Sequence, residues 1–293
     1  MDNWDEVRTA YHVAKIGTVS GAAEVMGVHH ATVIRHIDAI ETRLGARLFQ
    51  RHARGYTATE AGEDLLRVAQ ATDDQLSQLS GRIKGRGDAV TGELIVTSLG
   101  SLNYLLLPVL TAFQKEYPDL VVRYLTGDRL FRLEYGEAHV AIRAGRAPDQ
   151  PDNVVQPFFR QRLTLYASED YVARHGRPQD MGDYVNHRFI GADDENSRAP
   201  YSIWMREHVP EENIIFRSGD VHAMRQAVMQ GAGIGFLPVV LARTLRGLVE
   251  MQSPEEAWTA PLWLVTHRDL HRTTKVQAFL SFLKGQAKDW AFE

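Results

Sequence analysis

The chain has 293 residues, a formal charge of −4, 44% hydrophobic and 24% charged residues, and no cysteine. That length exceeds what one hydrophobic core organises, so two or three folded units are expected, and the lack of cysteine excludes disulfides, thiolate metal sites and cysteine redox sensing. The charge excludes a molecule coated in positive charge, yet Arg35, Arg43, Arg47, Arg51 and Arg54 cluster against only Asp38 and Glu41.

Residues 1–9 carry Asp2, Asp5 and Glu6 and lack the basic start and apolar stretch of a secretion signal. The longest apolar run, around 234–242, is too short to cross a bilayer and is interrupted by Pro238. A cytoplasmic protein with no membrane partner is expected.

Trp4, Val7, Tyr11 and Ala14 recur at helical spacing and predict a first helix ending near Gly17. Ser20 is the expected cap of a short helix over 21–26, stopped by Gly27. In the next helix Val33, Ile37, Ile40 and Leu44 form a buried stripe, which leaves His30, Ile34 and Asp38 facing outward. Helix, glycine turn and a second helix with a basic exposed end is the helix-turn-helix pattern, whose second helix enters the major groove of DNA. Residues 48–57 then read as strand, turn and strand, with arginines flanking the turn as in a DNA-touching wing.

These features nominate His30, Ala31, Ile34 and Arg35 on the recognition helix and Arg51 and Arg54 in the wing for contact with double-stranded DNA. Arginine pairs with guanine or neutralises phosphate, whereas Ala31 and Ile34 offer only apolar contact to a thymine methyl. His29 and Thr32 are expected to position the backbone. The plainer alternative is that all of these are solvated helix residues. His12, His29, His30 and His36 have no carboxylate or thiolate set at ligand spacing, so no metal is expected, and no motif calls for a cofactor. A pH response through His29 and His30 beside phosphates stays open.

Ala61, Leu65, Val68, Thr72, Leu76, Leu79 and Ile83 step by four and three residues, the seam of a paired helix. This predicts a dimerisation helix over 59–86; the alternative is a helix lying on its own domain. Thr57 and Glu60 have capping-box spacing, and Thr59 is a competing cap. Four glycines in 81–92 read as a hinge, placed at 87–92.

Beyond the hinge, strands over 94–97, 120–125, 140–143, 163–167, 188–190, 214–217, 234–237 and 262–266 alternate with helices over 105–117, 129–135, 221–230 and from 274. This alternation implies a parallel α/β sheet. Loops after such strands hold small anions through backbone N–H groups and hydroxyls, which nominates Ser98, Leu99 and Ser101, then Thr126, then Ser218 and Gly219. Arg143, at a strand end, is either a counter-ion or a surface residue. Gly231, Gly233 and Gly235 precede a strand rather than follow one and make a tight turn, not a dinucleotide loop. The polar loop 191–201 is expected to be solvated. No nucleophile, base and orienting acid come together, so an enzyme is not expected. A ligand-binding module without regulatory output is the rival reading.

Ala22-Ala23-Glu24, Gly27-Val28, Arg35-His36-Ile37, Leu44-Gly45, Leu48-Phe49, Arg51 and Thr59-Glu60-Ala61-Gly62 resemble, at matching spacing, the LysR-type transcriptional regulators. The looser likeness continues through Leu107-Pro108, Tyr117-Pro118 and Ala141-Ile142-Arg143 and thus runs over essentially the whole chain. The resemblance implies a winged helix-turn-helix over 1–58 and a periplasmic-binding-protein-like effector domain over 93–293. That domain would hold subdomain I, about 93–162 and 267–293, and subdomain II, about 163–266, with a ligand cleft between them. It further implies a small-molecule effector, here an organic anion, and a homotetramer built from dimers. This chain departs from the family in having His29-His30 where a Ser-Gln pair is common, Ile34 at a frequent serine, and His139 at a usual aspartate.

Overall fold

A computed structural model describes residues 3–52, 55–83, 90–127 and 129–290. Arg54 and the first half of the expected hinge, 87–89, lie outside the described residues. The first unit is built from α1 (Trp4–Ile16), α2 (Val19–Met26), α3 (His30–Leu44) and a hairpin of β1 (Phe49–His52) and β2 (Gly55–Ala58). Ala10, Val13, Ala22, Val33, Ile37 and Ile40 close its core. Leu44, expected in that stripe, is 41% exposed, because the helix ends one residue later at Gly45. Thr18, not Ser20, caps α2, its hydroxyl accepting from Gly21 N–H at 3.2 Å.

The long helix α4 (Glu60–Ile83) begins against the wing. Of its competing caps Thr59 wins: its hydroxyl accepts from Gly62 N–H at 3.2 Å, while Thr57 pairs with His52 at 2.9 Å. Gly62 is required by close approach, since a Cβ there would stand 2.0 Å from Leu48 O. The seam of α4 divides. Leu65 and Ala69 are buried on their own head, as the alternative reading holds, whereas Val68 and Leu76 are 54% and 52% exposed. The side chains of Leu79 and Ile83 lie outside those described. The helix runs through Gly81, which the sequence placed in a hinge.

The rest of the chain folds about two five-stranded sheets. The first has the order β4 (Leu120–Thr126), β3 (Gly92–Ser98), β5 (Val140–Ala144), β12 (Ala260–His267), β6 (Asn153–Gln161). Helices α5 (Asn103–Glu116) and α11 (Thr274–Ala287) cover it through Leu106, Phe113, Phe279 and Leu283, and the short α10 (Arg268–His271) follows β12. The second has the order β11 (Leu248–Glu250), β7 (Leu163–Ser168), β10 (Ile234–Pro238), β8 (Phe189–Ala192), β9 (Ile214–Ser218). Its strands contribute alternate residues to two cores, as a pleated sheet covered on both faces must. One core is shared with α6 (Glu169–His175) and α7 (Pro200–His208), the other with α8 (Val221–Met229) and the last residue of α9 (Val239–Ala242).

Several sequence expectations change. The sheets are mixed, not parallel: β12 runs antiparallel to both β5 and β6, and β7 antiparallel to β10 and β11. Because β12 pairs within the first sheet, the second lobe ends before Ala260 and not at 266. The helix expected over 129–135 is a single turn at Leu133–Tyr135, and β6, α6 and α7 were not anticipated. Among the described residues no helix is long and apolar enough to cross a membrane.

Candidate DNA-binding head and ligand cavity

Gly27 adopts φ +65, the left-handed conformation that lets α2 stop and the chain turn into α3. His29 caps α3, its Nδ1 accepting from Ala31 N–H at 3.3 Å, and its ring stands 4.5 Å from that of His30. His30, Ala31 and Arg35 are exposed, while Thr32 and Ile34 are partly covered. His36 is not part of that surface. Its Nδ1 lies 2.8 Å from the Thr9 hydroxyl, which itself donates to Asp5 O at 2.6 Å, so the imidazole ties α3 to α1.

The arginine cluster is largely neutralised from within. Arg43 pairs with Glu6 at 2.7 Å, Arg47 with Glu41 at 2.7 Å, and Arg51 with Asp38 at 2.6 Å and Glu41 at 2.9 Å. Arg51 also lies over the Tyr56 ring at 5.4 Å. Arg35 forms no ion pair among the described residues. Glu41 joins recognition helix to wing: besides the two arginines, its Oε1 accepts from the N–H groups of Leu48 and Phe49 at 2.8 and 3.1 Å. Burial alone would raise its pKa, but hydrogen bonds from Arg47, Leu48, Phe49 and Arg51 outweigh it and hold the carboxyl below its ordinary value.

The α/β half contains a cavity of about 120 Å³, set mostly in the second lobe among β8, β9, β10, α7 and α8. The first lobe reaches it through Ser101 and Tyr104, with Gln161 at the crossing between lobes. Gln161 Nε2 donates to Tyr104 Oη at 2.8 Å, and burial pushes the Tyr104 pKa up to about 12, so the phenol keeps its proton. Of the residues nominated from the sequence, only Ser101 lines this cavity. Ser98 is buried, its hydroxyl 2.6 Å from Tyr124 Oη and donating to Leu99 O at 2.9 Å; Leu99 packs against the first core. Thr126 and Gly219 are exposed, and Ser218 Oγ accepts from Asp220 N–H at 3.0 Å. Arg143 donates to Phe131 O at 2.9 Å, and burial lowers its pKa against the opposing pull of Glu134.

The cavity-lining residues that the sequence reading missed come chiefly from the loop it took as solvated and from two helices. Gly191, Asp194, Glu195 and Tyr201 line the cavity, as do Met205, Arg206 and Arg225. The available signal was Arg225, which follows Val221 by four residues and precedes Val228 by three on one helix face.

A winged helix-turn-helix head joined by a long helix to a two-lobed α/β unit with an internal cavity defines a ligand-responsive DNA-binding regulator. Comparison with known proteins agrees. Residues 4–63 match the family described as bacterial regulatory helix-turn-helix protein, lysR family, and residues 87–288 match the LysR substrate binding domain. The chain is 31% identical over 243 residues to the HTH-type transcriptional activator IlvY of Salmonella typhimurium, covering 80% of this chain and 82% of that one. It is 25% identical over 291 residues to the regulator CrgA of Neisseria meningitidis, with 96% of each chain covered. Among solved structures, a full-length variant of OxyR from Pseudomonas aeruginosa shares the fold with a TM-score of 0.72 at 15% identity, over 97% of this chain and 95% of that one. Full-length CbnR bound to its target DNA matches with a TM-score of 0.60 at 21% identity, over 97% and 100%. The chain belongs to the LysR family of transcriptional regulators.

Proposed function

We propose that this regulator reads promoter DNA through the outward face of α3 and that a small organic anion, held in the α/β half, alters that reading. His30, Ala31, Ile34 and Arg35 reach base edges, with His29 and Thr32 positioning the backbone and Arg51 and Arg54 serving the wing. The observation that carries this is the state of Arg35: it is exposed and, among the described residues, unpaired on the recognition helix, where Arg43, Arg47 and Arg51 are held by carboxylates. An uncommitted guanidinium at that place is matched to guanine or phosphate.

Two heads pair through the exposed stripe of α4 at Val68 and Leu76, and two such dimers form a homotetramer in the cytoplasm. Pairing raises affinity, because the second head then binds at high effective concentration. Effector binding shifts the lobes between two arrangements by differing affinity for them, and α4 passes the change to the heads. The test is a fluorescence-anisotropy titration against DNA from just upstream of the reading frame, with unlabelled competitor at stated salt. Arg35→Ala is expected to weaken specific binding by about 1–3 kcal/mol. Unchanged specific affinity in that variant would remove Arg35 from the interface.

A further inference from the structure

Among the described residues, the cavity contains one guanidinium with no answering group. Arg225 sits on the same face of α8 as Val221 and Val228, and all three line the cavity. Its Nε is buried with no hydrogen-bond partner, and among the described residues it forms no ion pair. The other two cavity arginines are engaged: Arg206 donates to Ser197 O at 2.9 Å, and Arg217 lies 3.3 Å from Glu211. A buried donor without an acceptor destabilises a fold, and a ligand that supplies the acceptor relieves it.

The surroundings define the rest of the ligand. Ile190, Met205, Met224 and Phe236 line the cavity and offer apolar, polarisable surface. Tyr104 presents a phenol proton, its oxygen already accepting from Gln161. Asp194 and Glu195 also line the cavity, and their charge disfavours a dianion or polyanion. A single unpaired guanidinium beside apolar walls suits one carboxylate on a compact apolar body better than a phosphate ester or a sugar acid.

We propose that Arg225 anchors the carboxylate of a small monocarboxylic acid whose apolar body packs against Ile190, Met205, Met224 and Phe236, and that such an acid is the effector. This rests on the reading of the α/β half as the sensing half of the regulator. It differs from the placement expected from sequence, which put the anion in the loops at Ser98, Thr126 and Ser218.

The test is calorimetric titration of the full chain and its Arg225→Gln and Arg225→Lys variants with isobutyrate, benzoate and phenylacetate, each beside its amide. In the unaltered protein at least one acid should bind, and its amide should bind about 10-fold more weakly or worse. In Arg225→Gln the acid should fall to the level of the amide, and in Arg225→Lys part of the preference should return. The proposal is overturned if no acid binds, if acid and amide bind alike, or if Arg225→Gln keeps the preference. Thermal unfolding of each variant checks its folding, and the acid-to-amide ratio of the unaltered protein decides the anion claim even where a variant is unstable. DNA titration without ligand is read separately. Its loss in the unaltered protein would count against the regulator reading, whereas an absent acid preference with DNA binding intact would count against Arg225 alone.

Discussion

Arg51 Nη2 lies 2.6 Å from Asp38 Oδ1, bridging the first wing strand and the outward face of the recognition helix. The pair is partly solvent-exposed, at 34% and 50%, so it contributes at most about 1 kcal/mol to the fold. Asp38 nevertheless places a negative charge on the surface proposed to meet phosphates. Asp38→Asn is expected to leave thermal unfolding nearly unchanged, to tighten non-specific DNA binding, and to steepen the dependence of log K on log salt by about one. Titrations over a salt series measure this; an unaltered slope would mean that Arg51 stays away from the DNA backbone.

Glu41 is the buried counterpart of that pair. Its side chain is only 4% exposed, and Glu41→Ala would leave the Leu48 and Phe49 N–H groups without their acceptor, a loss of about 3–5 kcal/mol in head stability. The folded carboxyl titrates below its ordinary value of 4.5. Its stabilisation is therefore complete above pH 4.5 and disappears as the pH falls through the lower, folded value. Thermal melts on either side of pH 4.5 should show a drop in the native protein that is shallower in Glu41→Ala; equal drops would assign acid sensitivity to other carboxyls.

Trp258 is fully buried against Trp204 and Phe236, and its Nε1–H has no partner among the described residues. Trp258→Ala should cost about 3–5 kcal/mol through the cavity it opens. Trp258→Phe loses volume but also removes the unsatisfied donor, and the two effects should leave stability within about 1 kcal/mol of native. Denaturant unfolding of the two variants compares them directly, and a phenylalanine variant as unstable as the alanine one would show that the indole nitrogen is satisfied in solution.

Val68→Asp and Leu76→Asp place charge on the exposed stripe of α4, away from Leu65 and Ala69, which pack on the head. Sedimentation velocity should report a smaller species for either variant, with far-UV circular dichroism unchanged. Specific DNA affinity should fall with the loss of the paired head. An unchanged sedimentation coefficient would count against pairing through this stripe of α4.

The head was legible in the sequence because its signals are local. Apolar residues at helical spacing, Gly17 and Gly27 at helix ends, and arginines around a short hairpin each depend on only a few neighbours in the chain. The miss at Ser20 was a matter of two residues, with Thr18 the better-placed hydroxyl. The α/β half was harder. Strand β6 contains Pro157, which argues against a strand by itself, and it is held by pairing with β12, about a hundred residues on. The turn at Leu133–Tyr135 shows the converse, since apolar spacing over 129–135 suggested a helix that the chain does not form. The cavity was least legible. Its walls come from loops and helices of both lobes, and ordinary residues such as Met205 and Phe236 acquire their place only through the packing of the second sheet. The loop rule found Ser101 and little else there, because Ser98 is taken up by Tyr124 and Ser218 by Asp220.

Strands β6 and β12 leave the first sheet side by side, with Gln161 paired to Ala260, and the second sheet lies wholly between those two positions in the chain. The second lobe is thus a detachable cassette whose ends already meet. Excising 162–259 and rejoining its ends by a hairpin turn would break no strand pair of the first sheet. On this plan the second lobe, which supplies most of the cavity wall, can vary while the pairing of the first sheet stays as it is.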